Sequence, residues 1–143
     1  MKEPKQDKKS HSKPIFMQKI KTALLSYGMS GKVFHAPFLD LHSGFEITGA
    51  WERSKRLIQS DFPEVKSYAT LEALLQDDCD LVIVNTPVGT HYEYAKQVLL
   101  SGKHAIVEKA FTTTVAEAQE LAALANEKGL QLAVFQNRRW EIG

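Results

Sequence analysis

Apolar residues in this chain fall into two kinds of pattern that alternate. Short unbroken or alternating runs occur at Ala23-Leu24-Leu25, Phe45–Trp51, Val65–Ala69, Leu81–Val84, Ala105–Val107 and Leu130–Phe135. Their length and β-branched content predict strands. Leu81-Val82-Ile83-Val84 has no polar position, as expected of a central parallel strand covered on both faces. Between these runs, apolar residues recur every three or four positions, the spacing of a helix. They do so after Gly31, from Leu71 to Leu75, from Thr90 to Gly102 and from Val115 to Ala125. Thr70 predicts a helix cap, and Thr90 with Glu93 and Thr114 with Glu117 predict capping boxes. Gly102 and Gly129 predict helix stops. Pro37 cannot sit unperturbed inside a helix, so the first helix is expected to break or restart near His35-Ala36-Pro37. Strand and helix alternate throughout. This predicts an α/β fold, a doubly wound and mostly parallel sheet of about six strands.

Composition bounds this picture. The 143 residues amount to one domain, and the hydrophobic content of 43% can fill a core. A net charge of +1 gives no global attraction to nucleic acid or a membrane. The charge is uneven, however. Residues 1–21 carry seven lysines against Glu3 and Asp7, and the rest of the chain is mildly acidic. Residues 1–17 are expected to be a disordered basic tail, and residues 18–143 the folded domain. Cys79 is the only cysteine, so no intramolecular disulfide forms. No apolar run approaches a membrane span, and Ile15-Phe16-Met17 is too short for a signal-peptide core. A cytoplasmic protein is expected, with no metal site.

In doubly wound sheets, ligands bind at the carboxyl ends of the strands. Here those ends hold Ser26-Tyr27-Gly28, Trp51-Glu52, Asn85-Thr86-Pro87, Glu108-Lys109 and Asn137-Arg138. Gly28 and Gly31, spaced by three between a strand and a helix start, suit a pyrophosphate-binding turn. Gly28 would admit the phosphates, and Gly31 would let helix and strand pack closely. The first glycine of the usual G-x-G-x-x-G is replaced by Ser26. Glu52 follows Gly31 by 21 positions, where a carboxylate would take ribose hydroxyls. Arg53, Ser54, Lys55 and Arg56 come next and would suit a 2′-phosphate instead. His35 is open to two readings, one near a cofactor's reactive end and one as a packed helix residue.

These residues together resemble the N-terminal half of the Gfo/Idh/MocA oxidoreductases, NAD(P)-dependent enzymes of sugars, inositols and related polyols. The matching pieces run from Tyr27 to Pro37, then Asn85-Thr86-Pro87 with His91, then Glu108-Lys109, then Asn137 to Trp140. Phe34-His35-Ala36-Pro37 resembles the branch containing scyllo-inositol dehydrogenases. The resemblance implies a Rossmann domain that binds NAD or NADP, with a lean towards NAD on the strength of Glu52. It implies cofactor contacts from Tyr27, Gly28, Met29, Ser30 and Gly31, with the glycines at the pyrophosphate. Glu52 and Arg53 would meet the adenosine ribose. Asn85, Thr86 and Pro87 would line the cofactor groove, with His91 near the ribose or a helix cap. Glu108 would approach the nicotinamide ribose. Asn137, Arg139 and Trp140 would complete the site, the last two closing over the cofactor. Lys109 would be catalytic, contacting substrate and tuning its hydroxyl proton.

Two departures shape the expectations. Ala110 replaces the proline of the family's Glu-Lys-Pro, which disfavours the cis peptide often found there and would mis-aim Lys109. The family's substrate-binding second domain, with its catalytic Asp and His, has no counterpart before Gly143. The chain is therefore expected to bind cofactor without turning over a polyol or sugar by itself, and its bared apolar surface points to weak self-association. The alternative is a stand-alone nucleotide-binding or interaction module.

Overall fold

The computed structural model describes residues 18–137. The expected tail, 1–17, lies outside them, as do Arg138, Arg139 and Trp140. Six parallel strands form one sheet in the order β3-β2-β1-β4-β5-β6. They are β1 (Ile20–Leu24), β2 (Phe45–Trp51), β3 (Lys66–Tyr68), β4 (Leu81–Val84), β5 (His104–Glu108) and β6 (Leu132–Phe135). The helices between them are α1 (Ala36–Leu41), α2 (Ile58–Asp61), α3 (Leu71–Gln76), α4 (His91–Leu100) and α5 (Val115–Lys128). The strand order reverses between β1 and β4, which opens a crevice at their carboxyl ends.

Alternation along each strand divides the core. Ala23, Leu25, Val82, Val84, Ala105 and Val107 pack against Leu71, Leu74, Val98, Leu99, Leu121 and Ala125 of α3, α4 and α5. Leu24, Ala50 and Ile83 face the opposite way, onto Ala36 and Leu39 of α1 and Ile58 of α2. Among the described residues, the cover on this second face stops short. Ile106 and Val134 line an open apolar groove of about 760 Å³ with Phe34, Phe38 and Phe135.

The predicted restart near Pro37 is observed. A π-helical turn, Gly31–His35, closes with Ala36 N–H on Gly31 O, and α1 begins with Pro37 in its first turn. Thr70 caps α3 through the Ala73 N–H. Thr114 and Glu117 form the expected capping box on α5, and Gly129 ends that helix in the left-handed region. The capping box expected at α4 is absent. A 3-10 turn, Val88–Thr90, precedes the helix, and the Thr90 hydroxyl donates to Pro87 O at 2.7 Å. Glu93 instead accepts from the Gln97 side chain. The short helix α2 was not expected from the pattern.

Candidate functional site

The turn after β1 is built by local hydrogen bonds. Leu25 N–H donates to Ile83 O at 3.0 Å, which carries the chain along β4 for one residue past the strand. Asn85 Nδ2 donates to Ser26 O at 2.8 Å, and the Ser26 hydroxyl accepts the Gly28 N–H at 3.2 Å. The serine that replaces glycine thus folds the turn itself. The two glycines serve different ends. A Cβ on Gly31 would lie 2.5 Å from Ser26 O, so that glycine is required by packing alone. A Cβ on Gly28 would meet nothing closer than Ser26 Oγ at 3.5 Å, and its φ is not positive. Nothing among the described residues demands glycine at 28. Its effect is to leave the outer side of the turn bare.

That bare side opens into a cleft between the ends of β1, β2 and β4. Ser26, Tyr27, Gly28, Trp51, Glu52, Arg53, Ser54, Lys55, Thr86, Pro87 and Tyr94 line it. Trp51 and Tyr94 meet edge to face, with centroids 5.4 Å apart, and give it an aromatic wall. Glu52 is beside the glycine turn, as its spacing suggested, but its carboxylate faces its own loop. Oε1 accepts the Leu57 N–H at 2.8 Å, and Oε2 accepts the Ile58 N–H at 3.3 Å and the Ser67 hydroxyl at 3.1 Å. This carboxylate fixes the loop that carries Arg53, Ser54 and Lys55. Tyr27 is buried, and its hydroxyl donates to Asp61 at 2.9 Å. Burial and that bond hold its phenol above the usual tyrosine range, so it stays protonated. Lys32 pairs with the same carboxylate at 3.1 Å.

A second cluster lies at the end of β5. Glu108 Oε1 accepts from Ser30 Oγ at 2.5 Å and from the buried His35 Nε2 at 2.6 Å. The His35 ring packs against Phe135, 4.6 Å between centroids. Of the two readings of His35, the packed residue is the one observed. The fully buried His91 has one ring nitrogen 2.7 Å from Ala110 O and the other 2.7 Å from Thr86 O. Between these two anchors Lys109 is exposed. The Lys109–Ala110 peptide is cis, against the expectation set by alanine.

The expected residues therefore gather in two places along one sheet edge. Ser26, Tyr27, Gly28, Glu52, Arg53, Thr86 and Pro87 share the cleft. Ser30, His91, Glu108 and Lys109 belong to the β5 cluster. Met29 is exposed on the glycine turn. Asn137 borders the apolar groove beside His35 and Phe135, not the cleft. Arg139 and Trp140 lie outside the described residues. Trp51 and Lys55, read from sequence at and just beyond the end of the second strand, line the cleft, whereas Tyr94 was not singled out from sequence. Tyr94 had a signal available, because it follows His91 by one helical turn.

A dinucleotide fits these residues on two observations. The outer side of Gly28 is open, and Asn85 Oδ1, one residue before the cleft-lining Thr86, is buried without a partner among the described residues. Among those residues no group of histidine, cysteine or acidic side chains could hold a metal ion. No helix there is long and apolar enough to cross a membrane.

Comparison with known proteins gives a consistent result. Residues 20–136 match the family described as oxidoreductases with an NAD-binding Rossmann fold. The NADP(+)-dependent scyllo-inositol 2-dehydrogenase IolW of Bacillus subtilis is 40% identical over 123 residues, covering 85% of this chain and 34% of IolW. The crystal structure of an oxidoreductase-type protein from Bacteroides fragilis is 48% identical, with a TM-score of 0.83 over 87% of this chain and 39% of that one. A 3-ketoreductase from Actinomadura kijaniata, solved with NADP and TDP-benzene, is 27% identical with a TM-score of 0.78, over 82% of this chain and 37% of its own. The chain spans about a third of the length of the curated relatives it matches.

Proposed function

The chain belongs to the Gfo/Idh/MocA oxidoreductase family, and from that membership we propose that it is the NAD(P)-binding domain of an oxidoreductase acting on a sugar, inositol or related polyol. The observation that carries this reading is the bare outer face of Gly28, open to a cleft that runs to Arg53 and Lys55. Gly28 admits the pyrophosphate beside the backbone of the turn. Trp51 and Tyr94, set edge to face, offer aromatic surface to the adenine. Asn85 holds the turn through its amide, with its carbonyl oxygen left over for a donor. Thr86 and Pro87 border the groove towards Glu108 and Lys109. When bound, the nicotinamide supplies a hydride acceptor or donor. Lys109 faces outward at that end, where its ammonium holds the substrate hydroxyl and takes part in moving its proton. The polyol or sugar class is supported by the inositol and ketosugar chemistry in the names of the relatives.

Choice of cofactor follows from Glu52. A carboxylate offers about four acceptor positions, and three are used by Leu57, Ile58 and Ser67. The position that remains serves a single ribose hydroxyl, which weakens the lean towards NAD. Arg53 and Lys55 line the same cleft, and neither makes an ion pair among the described residues. This supports the 2′-phosphorylated cofactor, as in the name of IolW. Calorimetric titration of the chain with NAD(H) and NADP(H) tests both levels. Binding is expected with both, tighter for NADP(H) by about tenfold, and Lys55→Ala should erode the difference. A folded sample that gives no heat with any of the four overturns the domain reading. Equal affinities overturn only the phosphate assignment.

A further inference from the structure

We infer that His35 and His91 are positioning residues that bracket Lys109, fixing the chain one residue before it and one residue after it. The inference rests on the dinucleotide reading above, because it concerns the end of the site where the nicotinamide and substrate would meet.

Strand pairing ends at Glu108, which lies opposite Phe135, so the backbone beyond it needs other anchors. On the near side the anchor is the Glu108 carboxylate, tied to His35 at 2.6 Å and Ser30 at 2.5 Å. His35 is 4% exposed and its ring lies tilted against Phe135, so it cannot swing away without breaking that contact. On the far side the anchor is Ala110 O, 2.7 Å from His91 Nδ1. The other nitrogen of His91 lies 2.7 Å from Thr86 O, and the ring is 1% exposed. Both rings are buried and neither lines the cleft, so their effect on a bound dinucleotide passes through the groups they hold. What they do is hold the backbone from which Lys109 projects. A long flexible side chain meets a hydroxyl within hydrogen-bond reach more often when its backbone is fixed. Each bracket also begins in a segment beside the cleft. Ser30 belongs to the glycine turn, and Thr86 lines the cleft wall. Seating a dinucleotide therefore acts on the same hydrogen bonds that hold Lys109.

The test uses the 143-residue chain with NADPH and with 2′,5′-ADP, which carries only the adenosine half. In His35→Leu and His91→Leu, NADPH affinity should fall about tenfold while that for 2′,5′-ADP stays unchanged. His35→Gln and His91→Gln keep an N–H donor and should recover much of the loss. Amide hydrogen exchange read by NMR should quicken at Lys109 in the leucine variants and stay constant at Ala50 in β2. If a leucine variant fails to fold, Ser30→Ala and Glu108→Gln probe the His35 side, and the glutamine variant the His91 side, by the same two readouts. Folded variants with an unchanged NADPH to 2′,5′-ADP ratio overturn the bracket, as does equal weakening of both ligands. If the wild type binds neither ligand, the dinucleotide reading falls, and exchange at Lys109 decides the bracket alone: quickened exchange upholds it and unchanged exchange rejects it.

Discussion

Gly28 and Gly31 lie three positions apart, and the structure gives them opposite sensitivities. Gly31→Ala drives a Cβ into Ser26 O and should cost about 1–3 kcal/mol of stability, the range for overpacking a tight contact. Gly28→Val meets no such atom, so its melting temperature should stay near that of the wild type while dinucleotide binding is lost. Thermal melts paired with titration separate the two, and a Gly28→Val protein that still binds would remove the phosphate role of that turn. Sequence spacing already gave Gly31 to helix–strand packing and Gly28 to the phosphates; what it could not name is the atom against Gly31, because that depends on where the Ser26 carbonyl oxygen points. Glu52 is the same case. Its distance from Gly31 was legible, and its partners were not. They are the Ser67 hydroxyl in β3 and two N–H groups at the start of α2, and Leu57 to Asp61 is too short to display a helical period. His35 stayed ambiguous because its partner, Glu108, is 73 positions away.

Elements were more legible than contacts. All six strands overlap the apolar runs that were read, most clearly Leu81–Val84 with its β-branched residues, though β1 begins at Ile20, before its run. The capping box on α5 was readable since Thr114 and Glu117 lie three positions apart and bond to each other at the helix start. Thr114→Ala removes that cap and should cost about 1 kcal/mol, seen as a melting point lower by a few degrees. No shift on melting would show that Glu117, bonded also to the Thr113 hydroxyl, holds the helix start alone. The same Thr-x-x-Glu pattern misled at α4. There Thr90 ends a 3-10 turn, and its hydroxyl is drawn back to Pro87 and Thr86. A local motif works only when the preceding backbone is extended, as it is at Thr114 and is not at Thr90.

At the scale of the molecule, acid should loosen the β3 edge first. Asp77 accepts from Lys66 at 2.5 Å and from the Tyr68 hydroxyl at 2.6 Å, and these bonds, Lys66 foremost, hold its carboxyl well below the usual range. A carboxyl depressed in the folded state stabilises the fold fully above its unfolded value of about 4 and loses that contribution as pH falls further. Asp77→Asn should therefore lower the melting temperature most at neutral pH, with the gap to wild type closing below about pH 4. A gap independent of pH would deny the linkage. The sheet order was legible as a class, from alternating elements, whereas the bare strip over β5 and β6 was not, since no local pattern records which strand face lacks a helix. That order also makes the protein two consecutive pieces, β1–β3 and β4–β6, with their sheets meeting where β1 lies beside β4. The cleft straddles this line, taking Gly28 and Lys55 from one piece and Thr86 and Tyr94 from the other. An occupant bridging it works as a rivet: the pieces cannot part without releasing it, so two fragments cut at the turn before β4 would find each other again most readily with the dinucleotide between them.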